Sequence, residues 1–254
     1  MSTVVIAEAA EHVVNEPAVP RTRVRAHRVR CPHGTAGRHL RLPEHRHPSL
    51  TDARIDVTTP HRRIGVLGGT FDPIHHGHLA AASEVAAALR LDQVLLVPVN
   101  SQPFKLDRLA APPEHRLEMC RLAVEGDERL AVSDVDVVRG GVTYTLDTLT
   151  DLHEQMPDAL LHFITGSDAL ARLHEWKDAE RLTELARFIG VTRPGHSLPD
   201  LDMAHTLVEV PAMAVSSTDV RRRVRAGAPI RYLVPRAVAD YIAEHDLYAG
   251  GMDD

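Results

Sequence analysis

The sequence predicts a doubly wound α/β fold built on a parallel sheet, and three observations carry that prediction. Short, almost continuously apolar runs recur from residue 63 onward. Stretches of ten or more residues with helical periodicity separate them, and the first run ends in a pair of glycines. Strands alternating with helices of that length read as βαβ units. Strands lacking a polar alternate face fit a sheet covered on both sides.

The elements follow in order. "RRIGVLGG" (62–69) is the first expected strand and "DQVLLVPV" (92–99) the second. "RLAVSDVDVV" (129–138), "ALLHFITG" (159–166), "ARFIGVTRPG" (186–195) and "TLVEVP" (206–211) complete the set. Helical periodicity covers 79–91, 113–125, 145–156 and 168–185, and a further helix is expected to start near Ser217. These elements define an expected domain over 63–249.

Residues 1–60 have a different texture. From 15 to 62 the chain is rich in Pro, Arg and His, follows neither a 2- nor a 3.6-residue period, and contains no aromatics. Such a segment buries too little apolar surface to offset its ordering entropy, so it is expected to be mostly disordered. A basic arm that binds RNA or a partner is the alternative.

Charge follows the same division. Residues 1–62 carry ten Arg and six acidic residues, a net +4, whereas the remainder carries 19 basic and 29 acidic, a net −10. A net-acidic body argues against a broad nucleic-acid partner and for a local phosphate site. Cys31 and Cys120 are too few for a disulfide framework, and Cys120 reads as a small buried hydrophobe. No apolar run reaches the ~18 residues of a membrane span, and no secretory signal opens the chain. The expected compartment is the reduced cytoplasm, with no membrane partner.

The chemistry concentrates in "GGTFDPIHHGH" (68–78). In an open α/β sheet, ligands bind beyond the carboxyl ends of strands, where the strand order reverses. Gly68 and Gly69 end a strand, and glycine admits unusual φ values and close approach of a ligand to the backbone. The helix that follows turns its free N–H groups and positive dipole end toward that ligand, which favours a phosphate. His75 and His78, three apart, share one side of its first turn. Their N–H groups can stabilise charge developing on an anion. A zinc site lacks the H-E-x-x-H spacing, and neither a Walker loop nor G-x-G-x-x-G is present.

"SSTDVRRRVR" (216–225) supplies a second helix start. Ser216 and Asp219 form a capping box that needs no ligand. Arg221 beside the hydroxyls of Ser216, Ser217 and Thr218 instead suggests a phosphate clamp. "FITGSDAL" places Gly166 at another strand end with Asp168 beyond it, as a helix cap or as an acceptor for ribose hydroxyls. Tyr144 and Thr145 open the helix of "GGVTYTLDTL". Trp176, the only tryptophan, reads either as core packing or as a stacking surface for a flat ring.

These motifs resemble those of bacterial nicotinate-nucleotide adenylyltransferases, within the H-x-G-H nucleotidyltransferase superfamily, and the resemblance spans almost all of 63–249. His75-His76-Gly77-His78 matches the histidine signature, with His76 at its variable position. Ser216, Thr218 and Arg221 match the S-x-T-x-x-R element. The resemblance implies a Rossmann-like fold and adenylyl transfer from ATP to nicotinate mononucleotide. It implies ATP binding by Gly68, Gly69, Thr70, Phe71, His75, His78, Gly166, Asp168, Ser216, Ser217, Thr218 and Arg221, with His75, His78 and Arg221 catalytic. The mononucleotide falls to Lys105, Tyr144, Thr145, Trp176 and Arg193. "VPVNSQPFK" departs from the family pattern at Val99 and Phe104, with Asn100 placed to compensate. Mg²⁺ is expected to arrive on the triphosphate, since no dedicated carboxylate cluster appears. A homo-oligomer is left open. The rivals are another H-x-G-H transferase, with nicotinamide mononucleotide or phosphopantetheine as acceptor, and a nucleotide-binding regulator on the same scaffold.

Overall fold

The computed structural model describes residues 24–27, 61–101, 111–192, 205–211 and 213–250. Its strands are β1 (Val24–His27), β2 (Arg63–Gly69), β3 (Gln93–Pro98), β4 (Leu130–Val132), β5 (Leu160–Gly166), β6 (Arg187–Thr192) and β7 (His205–Glu209). Its helices are α1 (His76–Leu89), α2 (Pro113–Val124), α3 (Val135–Arg139), α4 (Thr145–Gln155), α5 (Ser167–Leu170), α6 (Ala179–Leu185), α7 (Ser217–Arg225) and α8 (Arg236–Glu244).

The strands form one sheet in the order β1-β7-β6-β5-β2-β3-β4. Strands β2 to β7 are all parallel, as expected, and β1 pairs antiparallel with β7. The chain leaves β2 in one direction through β3 and β4, then returns to β2's other side as β5. The order therefore reverses between β2 and β5, whose last residues are Gly69 and Gly166. That is the crevice where such sheets take ligands.

Alternation along the strands feeds two cores. Leu67, Val94, Leu96, Ile164 and Ile189 face one side, where they meet Ala82 and Val85 of α1, Met119 and Cys120 of α2, Val220 of α7 and Val238 of α8. Val66, Leu95, Phe163 and Phe188 face the other side, under Leu146 and Leu149 of α4 and Leu182 of α6. Both faces are covered, which is why these strands lack a polar alternate. Cys120 is fully buried there, and burial pushes its thiol pKa up, so it packs as an inert hydrophobe. Among the described residues no helix is long and apolar enough to cross a membrane.

Two expectations need correction, and two elements were not foreseen. The run 129–138 is a strand only over β4. Ser133 still donates its N–H to Leu96 O, but Asp134 O accepts from Val138 and starts α3. Ser and Asp favour a helix start over a continuing ladder. The stretch 168–185 is not one helix: α5, a single 3₁₀ turn at Leu173–Glu175 and α6 divide it. The break falls where Trp176 is extended and Asp178 takes a left-handed φ of 51°. Helix α8 had no counterpart in the sequence reading, although Pro235 precedes it and Val238 and Ile242, four apart, are its buried stripe. Strand β1 lies within the segment expected to lack structure; the rest of 1–60 lies outside the described residues.

One buried side chain fastens the carboxyl ends of β2 and β3. Arg116 of α2, 2% exposed, donates from Nε to Ala111 O at 2.9 Å and from Nη1 to Thr70 O at 2.8 Å and Val99 O at 2.7 Å. Its Nη2 donates to Asn100 O at 2.8 Å. Burial lowers its pKa while Asp72 opposes that pull, and a guanidinium remains charged in either case. Replacement by Met would fill the space yet leave these carbonyls without donors. Arg116→Met is expected to lower the unfolding free energy by about 3 kcal/mol or more in urea titration. A loss of less than about 1 kcal/mol would contradict the assigned role.

Candidate active site

At the end of β2 the backbone differs from expectation. Neither Gly68 nor Gly69 has a positive φ; Phe71 does, at 50°. The need for glycine at 69 is close approach, since a Cβ there would lie 3.0 Å from the Phe71 ring. That ring folds back beneath the strand end and meets the His78 ring edge-on, with centroids 5.0 Å apart. Phe71 is thus spent on packing, at 2% exposed, and supports a histidine.

His75 is the cap residue of α1, with extended backbone, and its N–H donates to His78 Nδ1 at 3.2 Å. The two rings stack with centroids 3.7 Å apart and 19° between planes. Gly77 permits this, because a Cβ there would lie 3.0 Å from His75 ring atoms and 3.2 Å from Val215. Glycine at position 77 is therefore a steric requirement of the stacked pair. His76 is the first helical residue, and its N–H is taken by Leu233 O. No acidic side chain occupies the first turn, so the positive end of the helix is left uncompensated.

Both imidazoles are held neutral. Burial pulls His75 down to about 4, and burial with the adjacent His75 pulls His78 well below the ordinary range. Because His78 Nδ1 accepts a hydrogen bond, its proton must sit on Nε2, which becomes a fixed donor. His75 Nδ1 is buried without a hydrogen-bond partner among the described residues. A stacked pair of neutral N–H donors at a helix N-terminus suits an incoming anion.

The second helix start lies alongside. Ser216 caps α7, its Oγ accepting from Asp219 N–H at 3.1 Å and donating to the Asp219 carboxylate at 2.9 Å. Ser217 Oγ donates to Pro73 O at 2.8 Å, which ties α7 to the loop carrying His75. Thr218 Oγ1 accepts from Arg221 Nη2 at 3.1 Å. The hydroxyls are thus engaged within the protein, and the capping box is real. The first-turn N–H groups and the Arg221 guanidinium are what α7 presents to an anion.

Asp72, which sequence reasoning passed over, joins the two starts. It is 5% exposed, and its backbone O accepts from Arg221 Nη1 at 2.6 Å. Its Oδ2 lies 3.5 Å from the same nitrogen. Its Oδ1 accepts from Ala111 N–H at 3.1 Å and Tyr248 OH at 2.7 Å. Arg116 and Tyr248 were missed as well. The only sequence signal for Asp72 was its place inside the histidine motif.

Toward β5, Asp168 is exposed as the second residue of α5, whose cap is Gly166. The cap reading of Asp168 is therefore wrong, and its carboxylate faces solvent beyond the strand end. On the β3 side, Asn100 donates from its backbone N–H to Thr143 Oγ1 at 3.1 Å and from Nδ2 to Gly141 O at 2.9 Å. These bonds dock the turn that leads into α4. Tyr144, 36% exposed, carries Lys177 Nζ 4.6 Å above its ring, and Lys177 pairs with Asp147 at 3.7 Å. Trp176 is half-buried: one edge packs against Phe163 and Phe188, and the rest of the ring stays accessible. The structure thus brings Tyr144, Thr145 and the Trp176 segment together. Lys105 and Arg193 lie outside the described residues.

The depressed pKa of His75 has a consequence for stability. An unfolded His binds a proton near pH 6.5, whereas folded His75 takes one only near 4. Stability is therefore unaffected above that upper limit and declines as pH falls from about 6.5 to about 4. In urea titrations across this window, His75→Gln is expected to flatten the decline relative to wild type. Equal slopes would contradict the neutral, buried assignment.

A family model described as cytidylyltransferase-like matches residues 66–223. A protein of Nocardioides sp. named "Probable nicotinate-nucleotide adenylyltransferase" is 54% identical over 188 residues, covering 72% of this chain and 92% of its own. One of the same name from Paenarthrobacter aurescens is 56% identical over 184 residues, covering 72% and 89%. The structure of Plasmodium falciparum nicotinic acid mononucleotide adenylyltransferase complexed with NaAD superposes with a TM-score of 0.62, covering 76% of this chain and all of that one. At 20% identity it speaks to the fold alone. Identity above one half over nearly the full length of the bacterial relatives is shared ancestry, and the chain belongs to the nicotinate-nucleotide adenylyltransferase family.

Proposed function

We propose that the protein transfers the adenylyl group of ATP to nicotinate mononucleotide, giving deamido-NAD and pyrophosphate. The observation that carries this reading is the side-by-side placement of the α1 and α7 N-termini, with His75, His78 and Arg221, beside the β2–β5 switch point. The names of the bacterial relatives support the choice of acceptor.

A mononucleotide phosphate oxygen attacks the α-phosphorus of ATP, a new P–O bond forms, and the bond to the β-phosphate oxygen breaks in line. The nucleophile is already ionised and pyrophosphate is a competent leaving group, so the protein's task is positioning and charge stabilisation. His78 Nε2–H and His75 donate to the α-phosphate oxygens, where charge is redistributed in the transition state. Gly68, Gly69 and Thr70 line the approach at the strand end. The N-terminus of α7, at Ser216, Ser217 and Thr218, takes the β- and γ-phosphates, and Arg221 steadies the departing pyrophosphate. Asp168, exposed beyond Gly166, accepts from the ribose hydroxyls. Tyr144, Thr145 and Trp176 form the nicotinate side, and the family resemblance assigns Lys105 and Arg193, which lie outside the described residues, to the mononucleotide phosphate.

The nucleotide substrate is MgATP. Phosphate oxygens are the hard ligands Mg²⁺ prefers. No group of three or more His, Cys, Asp or Glu among the described residues is placed to hold a metal. The cytoplasm, which supplies both substrates, is the proposed compartment.

The test is pyrophosphate release on mixing MgATP with candidate acceptors. Nicotinate mononucleotide is expected to be used in preference to nicotinamide mononucleotide, and phosphopantetheine not at all. Equal rates with the two mononucleotides would refute acid specificity, and no release with either would refute the reaction. His78→Ala is expected to lower kcat by ~10²–10³ with the fold intact, the usual cost of losing one such donor.

A further inference from the structure

The buried hub at Asp72 has a member that touches neither substrate in the reaction described above. Tyr248 lies beyond α8, in a turn where it takes a left-handed φ of 65° and Leu247 N–H bonds back to Ile242 O. Leu247 and Tyr248 pack against the core shared with α1, α2 and α7. This arrangement returns the tyrosine hydroxyl to a loop 176 residues earlier in the chain.

The geometry of Asp72 gives that contact a direction. Oδ1 accepts both Tyr248 OH and Ala111 N–H, while Oδ2 faces Arg221 Nη1 at 3.5 Å. A carboxylate is planar, so pinning one oxygen fixes the other. Arg221 is held from two sides, by the Asp72 backbone carbonyl and, at 3.5 Å, its carboxylate Oδ2 at Nη1, and by Thr218 Oγ1 at Nη2. A guanidinium has five N–H donors, so others remain for a phosphate. Burial and the adjacent carboxylate both raise the Tyr248 pKa, which keeps its hydroxyl a donor at ordinary pH.

We propose that Tyr248 is a positioning residue for adenylyl transfer: by locking the Asp72 carboxylate it fixes the bearing of Arg221 on the pyrophosphate side of the site. This rests on the reading that Arg221 contacts the triphosphate. Without the hydroxyl, Asp72 Oδ1 keeps a single donor and the carboxylate can rotate, so Oδ2 leaves its place opposite Arg221 Nη1 and the guanidinium keeps only the Asp72 carbonyl and Thr218 to set its bearing. Because the contact matters most as pyrophosphate departs, the loss falls on kcat rather than on the KM for ATP.

The test uses Tyr248→Phe in the full-length enzyme, which keeps the packed ring and removes only the hydroxyl, with the unfolding midpoint as a check on the fold. Misplacing a charge-stabilising group costs up to ~10²-fold, and here kcat is expected to fall about tenfold with KM for ATP changed by less than about twofold. In an Arg221→Lys background the same substitution is expected to add nothing further. The Nε–H signal of Arg221 in ¹⁵N NMR, assigned by its absence in Arg221→Lys, is expected to shift on Tyr248→Phe. Wild-type kcat with an unmoved Arg221 signal would overturn the proposal, as would an equal loss of kcat in both backgrounds. A shifted signal together with wild-type turnover in Arg221→Lys would uphold the Tyr248–Arg221 link and refute instead the placement of Arg221 on the triphosphate.

Discussion

Asp72 sits in the short loop between β2 and α1, and its oxygens hold together parts of the chain that share no local structure. Its carbonyl receives Arg221 from α7, and its carboxylate receives Tyr248 from beyond α8 and the backbone of Ala111. Arg116 completes the knot by gathering the carbonyls that follow β2 and β3. A buried carboxylate needs this density of donors, because an ionised group withdrawn from water is tolerated only when paired and hydrogen-bonded. The same requirement brings the two helix N-termini to one place.

The electrostatics of the site follow from that packing. The histidines are neutral because they are buried and stacked, so they contribute oriented N–H dipoles rather than charge. Beside them, Arg221 brings formal positive charge, and its mobility is limited by the Asp72 carbonyl and Thr218. Donors fixed before the substrate arrives need no reorganisation as charge shifts between phosphates, and this is how such sites lower barriers. The helix dipoles add to the field without adding a titratable group.

The parallel sheet and the histidine motif were legible because their signals are local. Apolar runs, the glycines before α1 and the three-residue spacing of His75 and His78 can all be read within a few positions. The strand assigned to 129–138 failed because Ser133 and Asp134 end the ladder before the apolar run ends. The helix assigned to 168–185 failed because Trp176 is drawn onto Phe163 and Phe188. Asp72, Arg116 and Tyr248 were not legible, since their meaning lies in contacts between residues as far as 149 and 176 positions apart. Alternation, capping and motif spacing carry no information at that range. The hydroxyls of Ser216, Ser217 and Thr218 show the opposite case: the motif singled them out, and the structure spends them on the protein's own groups.

The central claim is that His78 stands ready as a neutral imidazole with its proton on Nε2, aimed at the α-phosphate. ¹⁵N NMR of histidine-labelled protein at neutral pH tests this directly. The account predicts a neutral His78 ring protonated at Nε2, with a signal that shifts when an ATP analogue resistant to α,β cleavage is added. A charged ring, a proton on Nδ1, or a signal that the analogue leaves unmoved would contradict it.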